Sequence, residues 1–171
     1  MKKLSLLALL AGAGLSTFGQ TANPLTSDVK FVYTNAKNNI LKSAEKMPEE
    51  DYTFKPTPDV RSFAGLLGHI ADAQYSFCGA VKGESKRVGV EKSKTSKADL
   101  TAALKEAFAY CDAAYDSMTD ASGVGMVKLF GTERTKLGVL AFNNAHTYEH
   151  YGNLVTYMRM KNLVPPSSER R

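Results

Sequence analysis

The sequence predicts an all-α protein, a four-helix bundle, and three observations carry that expectation. Apolar residues recur every three or four positions in four separate blocks of the 171-residue chain. No stretch shows a convincing period-two alternation of apolar and polar residues, so little or no sheet is expected. The apolar share (43%) and charged share (23%) are those of an ordinary folded domain, which excludes wholesale disorder. A chain of this length suits one domain and can bury a core without disulfide or metal staples.

Residues 1–19 are read as a signal peptide rather than as part of the fold. Lys2 and Lys3 precede an apolar run from Leu4 to Leu15, and small or polar residues follow. That run is too short to span the roughly 30 Å of membrane hydrocarbon. Cleavage after Gly19 or after Ala22 would start the mature chain at Gln20 or Asn23, which makes residues 20–171 the folded domain. The expected location is outside the cytoplasm, periplasmic or extracellular. No cysteine lies near the cleavage site, and no later segment is apolar enough to cross a membrane. No membrane partner is therefore expected after cleavage.

The first helical block, about Ser27–Lys46, carries Val29, Val32, Tyr33, Ala36, Ile40 and Ala44 on one stripe. The second, about Ser62–Val81, carries Leu66, Ile70, Ala73 and Phe77, with Ser62 placed to cap its start. The third, about Lys97–Met118, steps through Leu100, Leu104, Ala107, Cys111, Ala114 and Met118. Ser96 and Asp99 suit its N-terminus, where an oxygen acceptor and negative charge satisfy free N–H groups. The fourth, about Thr135–Lys161, ends ahead of Pro165 and Pro166, which cannot continue a helix.

The linkers are longer than an up-down-up-down bundle needs. About fifteen residues between the second and third helices reach roughly 50 Å when extended, whereas a twenty-residue helix is about 30 Å long. The linker can thus run the length of the bundle and leave these two helices parallel, although its length alone does not require that. The Met47–Arg61 connection, with Pro48, Pro56 and Pro58, reads as extended rather than as a tight turn. The relative direction of the helices also bears on the two cysteines. In parallel helices Cys78 and Cys111 stand at heights differing by roughly 4–5 Å, against about 15 Å in an antiparallel hairpin. Only the first is compatible with a disulfide. Cys78 lies opposite His69 on its helix while Cys111 lies on a core stripe, so the pairing stays open.

Charge narrows the partners. The formal net charge is +5, and removing residues 1–19 takes away two lysines and no acids, leaving +3. Between Lys82 and Lys97, six bases (Lys82, Lys86, Arg87, Lys92, Lys94, Lys97) face only Glu84 and Glu91. This stretch holds no aromatics and is broken by Gly83 and Gly89. It reads as a solvated loop and not as a nucleic-acid surface. A small molecule of unknown identity is the expected partner, and a homodimer is left open.

The chain has three histidines, and all lie on inward stripes. His146 and His150 are four apart on the fourth helix, about 40° around its axis, a spacing that lets two imidazoles grip one ion. Their stripe also holds Val139, Phe142, Asn143, Asn153 and Tyr157. His69 shares its stripe with the small residues Ser62, Gly65, Ala73, Ser76 and Ala80, which leave room beside it. Three neutral imidazoles suit one divalent ion, zinc, nickel or iron, with water completing the shell. Free histidine titrates near pH 6.5, so affinity is expected to fall as pH drops through about 6.

Other chemistries fit less well. His146-Thr147-Tyr148-Glu149-His150 matches the inverted zincin pattern, but the only carboxylate side chain after His150 is Glu169 in the tail. Glu149 and Asp72 remain weak candidates for a base, with surface or capping roles the alternative. No Walker pattern, dinucleotide fingerprint or catalytic triad signature is present.

Tyr52-Thr53-Phe54-Lys55-Pro56, Arg61-Ser62-Phe63-Ala64-Gly65-Leu66-Leu67-Gly68-His69-Ile70-Ala71, His146 through Leu154, and Leu163-Val164-Pro165-Pro166 together resemble the DinB-like superfamily of metalloproteins. The likeness spans about residues 26–168. It implies an up-down-down-up four-helix bundle with a divalent metal held by His69, His146 and His150. Some members of that superfamily are metal-dependent thiol transferases or isomerases; the export signal sets this chain apart from them. Two function classes follow: a secreted metalloenzyme with an open water position and hydrolase- or transferase-type chemistry, and a bundle that binds metal or ligand without turnover.

Overall fold

The computed structural model describes residues 22–169, and the signal-peptide expectation lies outside them. Four long helices form the bundle: α1 (Pro24–Lys46), α2 (Phe63–Lys82), α4 (Lys97–Asp116) and α6 (Lys136–Met160). Two single-turn helices, α3 (Val90–Ser93) and α5 (Asp120–Gly123), and a two-stranded ribbon, β1 (Met126–Leu129) and β2 (Thr132–Thr135), decorate the connections. Three helix starts fall where the capping residues put them. Ser62 accepts from the Gly65 N–H, Ser96 from that of Asp99, and Thr135 from that of Gly138.

Specific contacts fix the helix directions. Lys97 at the start of α4 donates to the carbonyls of Glu45 and Met47 at the end of α1, while Lys37 meets Asp112, so α1 and α4 are antiparallel. The Tyr157 hydroxyl near the end of α6 donates to the Arg61 carbonyl just before α2, making α2 and α6 antiparallel. Asn144 donates to the Val29 carbonyl and Lys46 pairs with Glu169, so α1 and α6 run together. The remaining adjacent pair, α2 and α4, is parallel. The order is up-down-down-up, and the long α2–α4 linker is the crossover. Cys78 and Cys111 form a disulfide across this parallel pair, with Cα atoms 5.3 Å apart.

Tyr33, Ile40, Phe63, Leu67, Leu100, Leu104, Phe108, Leu140 and Leu154 are among the side chains that fill the core. Tyr33 stacks on Tyr115, ring centroids 3.8 Å apart, tying α1 to α4. The Met47–Arg61 connection serves the start of α2, where helix N–H groups lack intrahelical partners. The carbonyls of Phe54 and Tyr52 accept from the Phe63 and Ala64 N–H groups.

The structure departs from the sequence reading in three places. The ribbon was not expected; its strands are four residues each, too short to show alternation, and only Leu129 on them is buried. The Lys82–Lys97 stretch is not simply a solvated loop, because Val90 is buried and the turn around it packs on α2. Val32, Phe142 and Asn153, assigned to inward stripes, are exposed.

Candidate metal centre

His69 on α2 meets His146 and His150 on α6. The His146 Nε2 atom lies 3.2 Å from His69 Nε2 and 3.1 Å from His150 Nε2. Among the described residues these three form the cluster able to hold an ion, with one ligand atom from each residue and all three such atoms within 4.8 Å of one another. The ring of His146 stands edge-on to Phe77, centroids 5.3 Å apart.

The register that produces this meeting is set one turn away by a buried polar lock. Gln74 on α2 and Asn143 on α6 exchange amide hydrogen bonds of 3.1 and 2.9 Å, and Gln74 also donates to the Thr147 hydroxyl. Both amides are fully buried, so any slip of α2 along α6 would strand them without partners.

The cluster fits a cation. Each neutral imidazole carries one proton, so His146 Nε2 offers either one N–H or one lone pair, and only one of its two close contacts can be a well-directed hydrogen bond while the other is left in conflict. A cation accepting all three lone pairs removes that conflict. With metal–nitrogen bonds of about 2.0–2.1 Å, a tetrahedral site has nitrogen–nitrogen edges of about 3.3–3.4 Å, close to the spacing here. The Nδ1 atoms of His146 and His150 are buried without hydrogen-bond partners.

Sequence reasoning missed the carboxylate of this site. Glu91, at the start of α3, places Oε2 3.4 Å from His69 Nδ1, and its Oε1 accepts from Arg61 Nε at 2.8 Å. It lies on the far side of the imidazole from the convergent Nε2 atoms, where a carboxylate fixes a ligating histidine's tautomer and raises its basicity. Two residues bring it there. Asp72 accepts from the N–H groups of Gly89, Val90 and Glu91 at 2.8–3.0 Å, capping α3. Gly68 lets α3 come close: a Cβ added there would stand 2.6 Å from Glu91 Cα. Asp72 is thus the anchor of the Glu91 segment, with its carboxylate turned to backbone and not to the histidines. Glu149 is exposed on α6.

Outer-shell partners of this kind commonly change metal affinity by about 10–100-fold. Glu91→Gln should therefore weaken divalent-metal binding within that range and leave thermal stability of the metal-free protein nearly unchanged. Unaltered affinity by calorimetry would show that the carboxylate does not act on His69.

Burial lowers the pKa of all three histidines. His146 falls to about 4, first through desolvation and then through His150, His69 and Arg61 nearby. For His69 and His150 burial is again the largest cause, opposed by Glu91 on His69. Protons should thus displace a metal only at lower pH than the value near 6 expected from free histidine. Stability of the metal-free fold follows the same linkage. Unfolded histidine takes up its proton near pH 6.5 while folded His146 stays neutral to about 4, so the unfolded chain binds more protons in that window. Stability should be lost as pH falls through it, on the order of 1–2 kcal/mol after discounting for the partial exposure of His146. Denaturant melts of metal-free wild type and His146→Ala between pH 7 and 4.5 measure the difference; equal pH slopes would contradict it.

The DinB superfamily model matches residues 33–154, more than half of the chain. The chain belongs to the DinB superfamily. Among curated proteins it is similar to the uncharacterized protein YjoA of Bacillus subtilis strain 168, 23% identical over 130 residues, which is 74% of this chain and 84% of YjoA. The crystal structure of a DinB-like protein from Bacillus cereus ATCC 10987 superposes with a TM-score of 0.72 at 16% identity, covering 82% of this chain and 95% of that one. The B. subtilis YjoA structure, also titled DinB-like, gives 0.68 at 22% identity, with 87% and 100% coverage. At these identities the two structures bear on the fold, which is the DinB-like bundle.

Proposed function

We propose that this DinB superfamily chain is an exported metal-dependent enzyme in which His69, His146 and His150 hold one divalent ion, zinc, nickel or iron, through their Nε2 atoms. The observation that carries this reading is a convergent trio with no fourth protein ligand among the described residues. Three-ligand sites leave a position for water or substrate, whereas purely structural sites are closed by four protein ligands. A divalent ion there supplies Lewis-acid polarisation of water or of a substrate heteroatom. The chain's own residues do the rest. Glu91, 3.4 Å from His69 Nδ1, favours the proton on that nitrogen and so leaves the lone pair on Nε2, and Arg61 keeps Glu91 in place. Phe77 packs edge-on against the His146 ring and helps fix its orientation.

The chemistry proposed for this arrangement is of hydrolase or transferase type on a small molecule. Export is supported by the basic and apolar N-terminal pattern, and the disulfide suits an oxidising compartment. Metal-loaded and metal-stripped protein should be screened against small esters, amides, phosphoesters and thiol-transfer pairs. The expected result is turnover lost with chelator and restored by the ion. Saturable metal binding with no turnover on any class would favour the non-catalytic bundle.

A further inference from the structure

Arg61 stands just before α2, and its backbone carbonyl accepts from the Tyr157 hydroxyl at 2.8 Å, which ties it to the end of α6. Its stem lies against Gly65, one turn ahead of His69: a Cβ added at Gly65 would stand 3.5 Å from Arg61 Cβ and 3.9 Å from Cγ. The guanidinium ends at Glu91, with Nε donating to Oε1 at 2.8 Å, while Oε2 of the same carboxylate faces His69 Nδ1. An arginine–carboxylate pair commonly closes through parallel N–H···O bonds that use the fork of the guanidinium. Here Glu91 divides its oxygens between Arg61 and His69. Both Nη groups are left without an acceptor among the described residues, on a side chain that is 43% exposed.

The register of α2 on α6 puts this unfilled fork beside the metal centre. Gln74 meets Asn143, His69 meets His146, and Arg61 meets Tyr157. Gly65, midway between Arg61 and His69, is therefore level with Asn153, midway between His150 and Tyr157. The surface between fork and histidines thus carries a glycine on α2 and an exposed amide residue on α6. The charge of Arg61 reaches all three imidazoles and helps lower the pKa of each, although burial is the larger cause.

Charge selects the ligand. Three neutral imidazoles leave both positive charges of a divalent ion uncompensated, and Arg61 adds another beside it. Of the neighbouring carboxylates, Glu91 is shared by Arg61 and His69, Asp72 is taken up by backbone N–H groups, and Glu149 is exposed on α6. We propose that the Nη groups of Arg61 bind an oxyanion group, a carboxylate or phosphate, of the small substrate whose reacting heteroatom sits at the three-histidine centre. The guanidinium fork matches such groups in shape as well as charge. The inference rests on the proposed open position at the metal and names the substrate class it serves: a small anionic molecule with its charged group a few bonds from the reacting atom.

The test is calorimetry at pH 7 on full protein loaded with saturating zinc. Three hydroxamates share a metal-binding head and chain length: succinate monohydroxamate, 3-phosphonopropanohydroxamate, and the neutral succinamide hydroxamate. At least one anionic probe should bind about tenfold tighter than the neutral amide, as a charge-assisted hydrogen bond warrants, and the tighter of the two identifies the oxyanion. That ratio should fall toward unity in Arg61→Gln. The variant keeps the backbone carbonyl that Tyr157 uses, and circular dichroism and zinc stoichiometry check that it is folded and loaded. Glu91→Gln, which retains the guanidinium, should keep the ratio or raise it. Equal affinities for all three probes in the wild type would overturn the oxyanion site and leave the metal reading standing. A ratio unchanged in Arg61→Gln would assign the preference to the ion's own charge and overturn it. Equal loss of the ratio in Glu91→Gln would show Arg61 acting only through Glu91, and would overturn it too. If no probe binds the zinc-loaded protein, the open position falls and the oxyanion site with it.

Discussion

His69→Ala should lose divalent-metal affinity by more than about a hundredfold, and His146→Ala and His150→Ala should lose as much, while all three variants should stay helical. The lower bound comes from the effect of removing a mere outer-shell partner, which already reaches about 10–100-fold. Removing one of three donors exceeds that. The equivalence of position 69 with the other two is the informative part. His146 and His150 are one turn apart and would form a local chelate on any helix. His69 is separated from His146 by 77 positions and joins them only because the Gln74–Asn143 lock sets α2 against α6. The fold should tolerate these changes because the imidazoles sit at the edge of a core built on other residues. His69 and His146 are half-buried and His150 is buried, and since burial lowers the pKa of each ring, all three are already neutral at pH 7. Circular dichroism and calorimetry on the three variants measure both halves of the expectation. Full affinity in His69→Ala alongside loss in His146→Ala would leave a two-histidine chelate.

The second large effect concerns the disulfide. Cys78 and Cys111 are 33 positions apart, so the bridge closes a loop spanning the whole crossover between α2 and α4. Loop-closure entropy for that length makes it worth about 3–4 kcal/mol through the unfolded state. In a chain of this size each kcal/mol moves Tm by about 2–4 °C, so Cys78→Ala/Cys111→Ala should melt about 10 °C lower. Both cysteines are fully buried, and reductant should therefore act slowly on the folded protein and quickly after denaturant is added. Metal affinity should persist in the double variant: the Asn143 amide lies against both sulfurs, but the hydrogen bonds of the Gln74–Asn143 lock run between the two amides themselves. A melting temperature within a degree or two of wild type would show that the crossover is already held by its packing.

Much of this molecule was legible because the relevant signals are local. Ser62 and Ser96 announce helix starts through the N–H groups they cap, and apolar spacing of three and four marks the four long helices. His146 and His150 declare themselves by their spacing, and His69 by the small residues along its stripe. What escaped is what only three dimensions supply. Glu91 sits in a basic, glycine-broken linker and reaches His69 only because Gly68 admits the backbone of α3 and Asp72 caps it. Asp72 looked like a base candidate from its place three residues after His69, yet its carboxylate is taken up by three backbone N–H groups. The ribbon was hidden because its strands are short and its turn is Phe-Gly, without the Asn-Gly or Asp-Gly signature of such hairpins. The disulfide was compatible with helix heights but undecided by facing; packing of α2 directly beside a parallel α4 resolves it.

One metal centre built by three histidines from two helices is the basis of the proposed function. Its most direct test is titration of zinc into chelator-treated protein at neutral pH, with bound metal counted after dialysis. Wild type should bind one ion per chain and His69→Ala almost none under the same conditions. No saturable binding, or one ion per chain retained when His69 is gone, would contradict it.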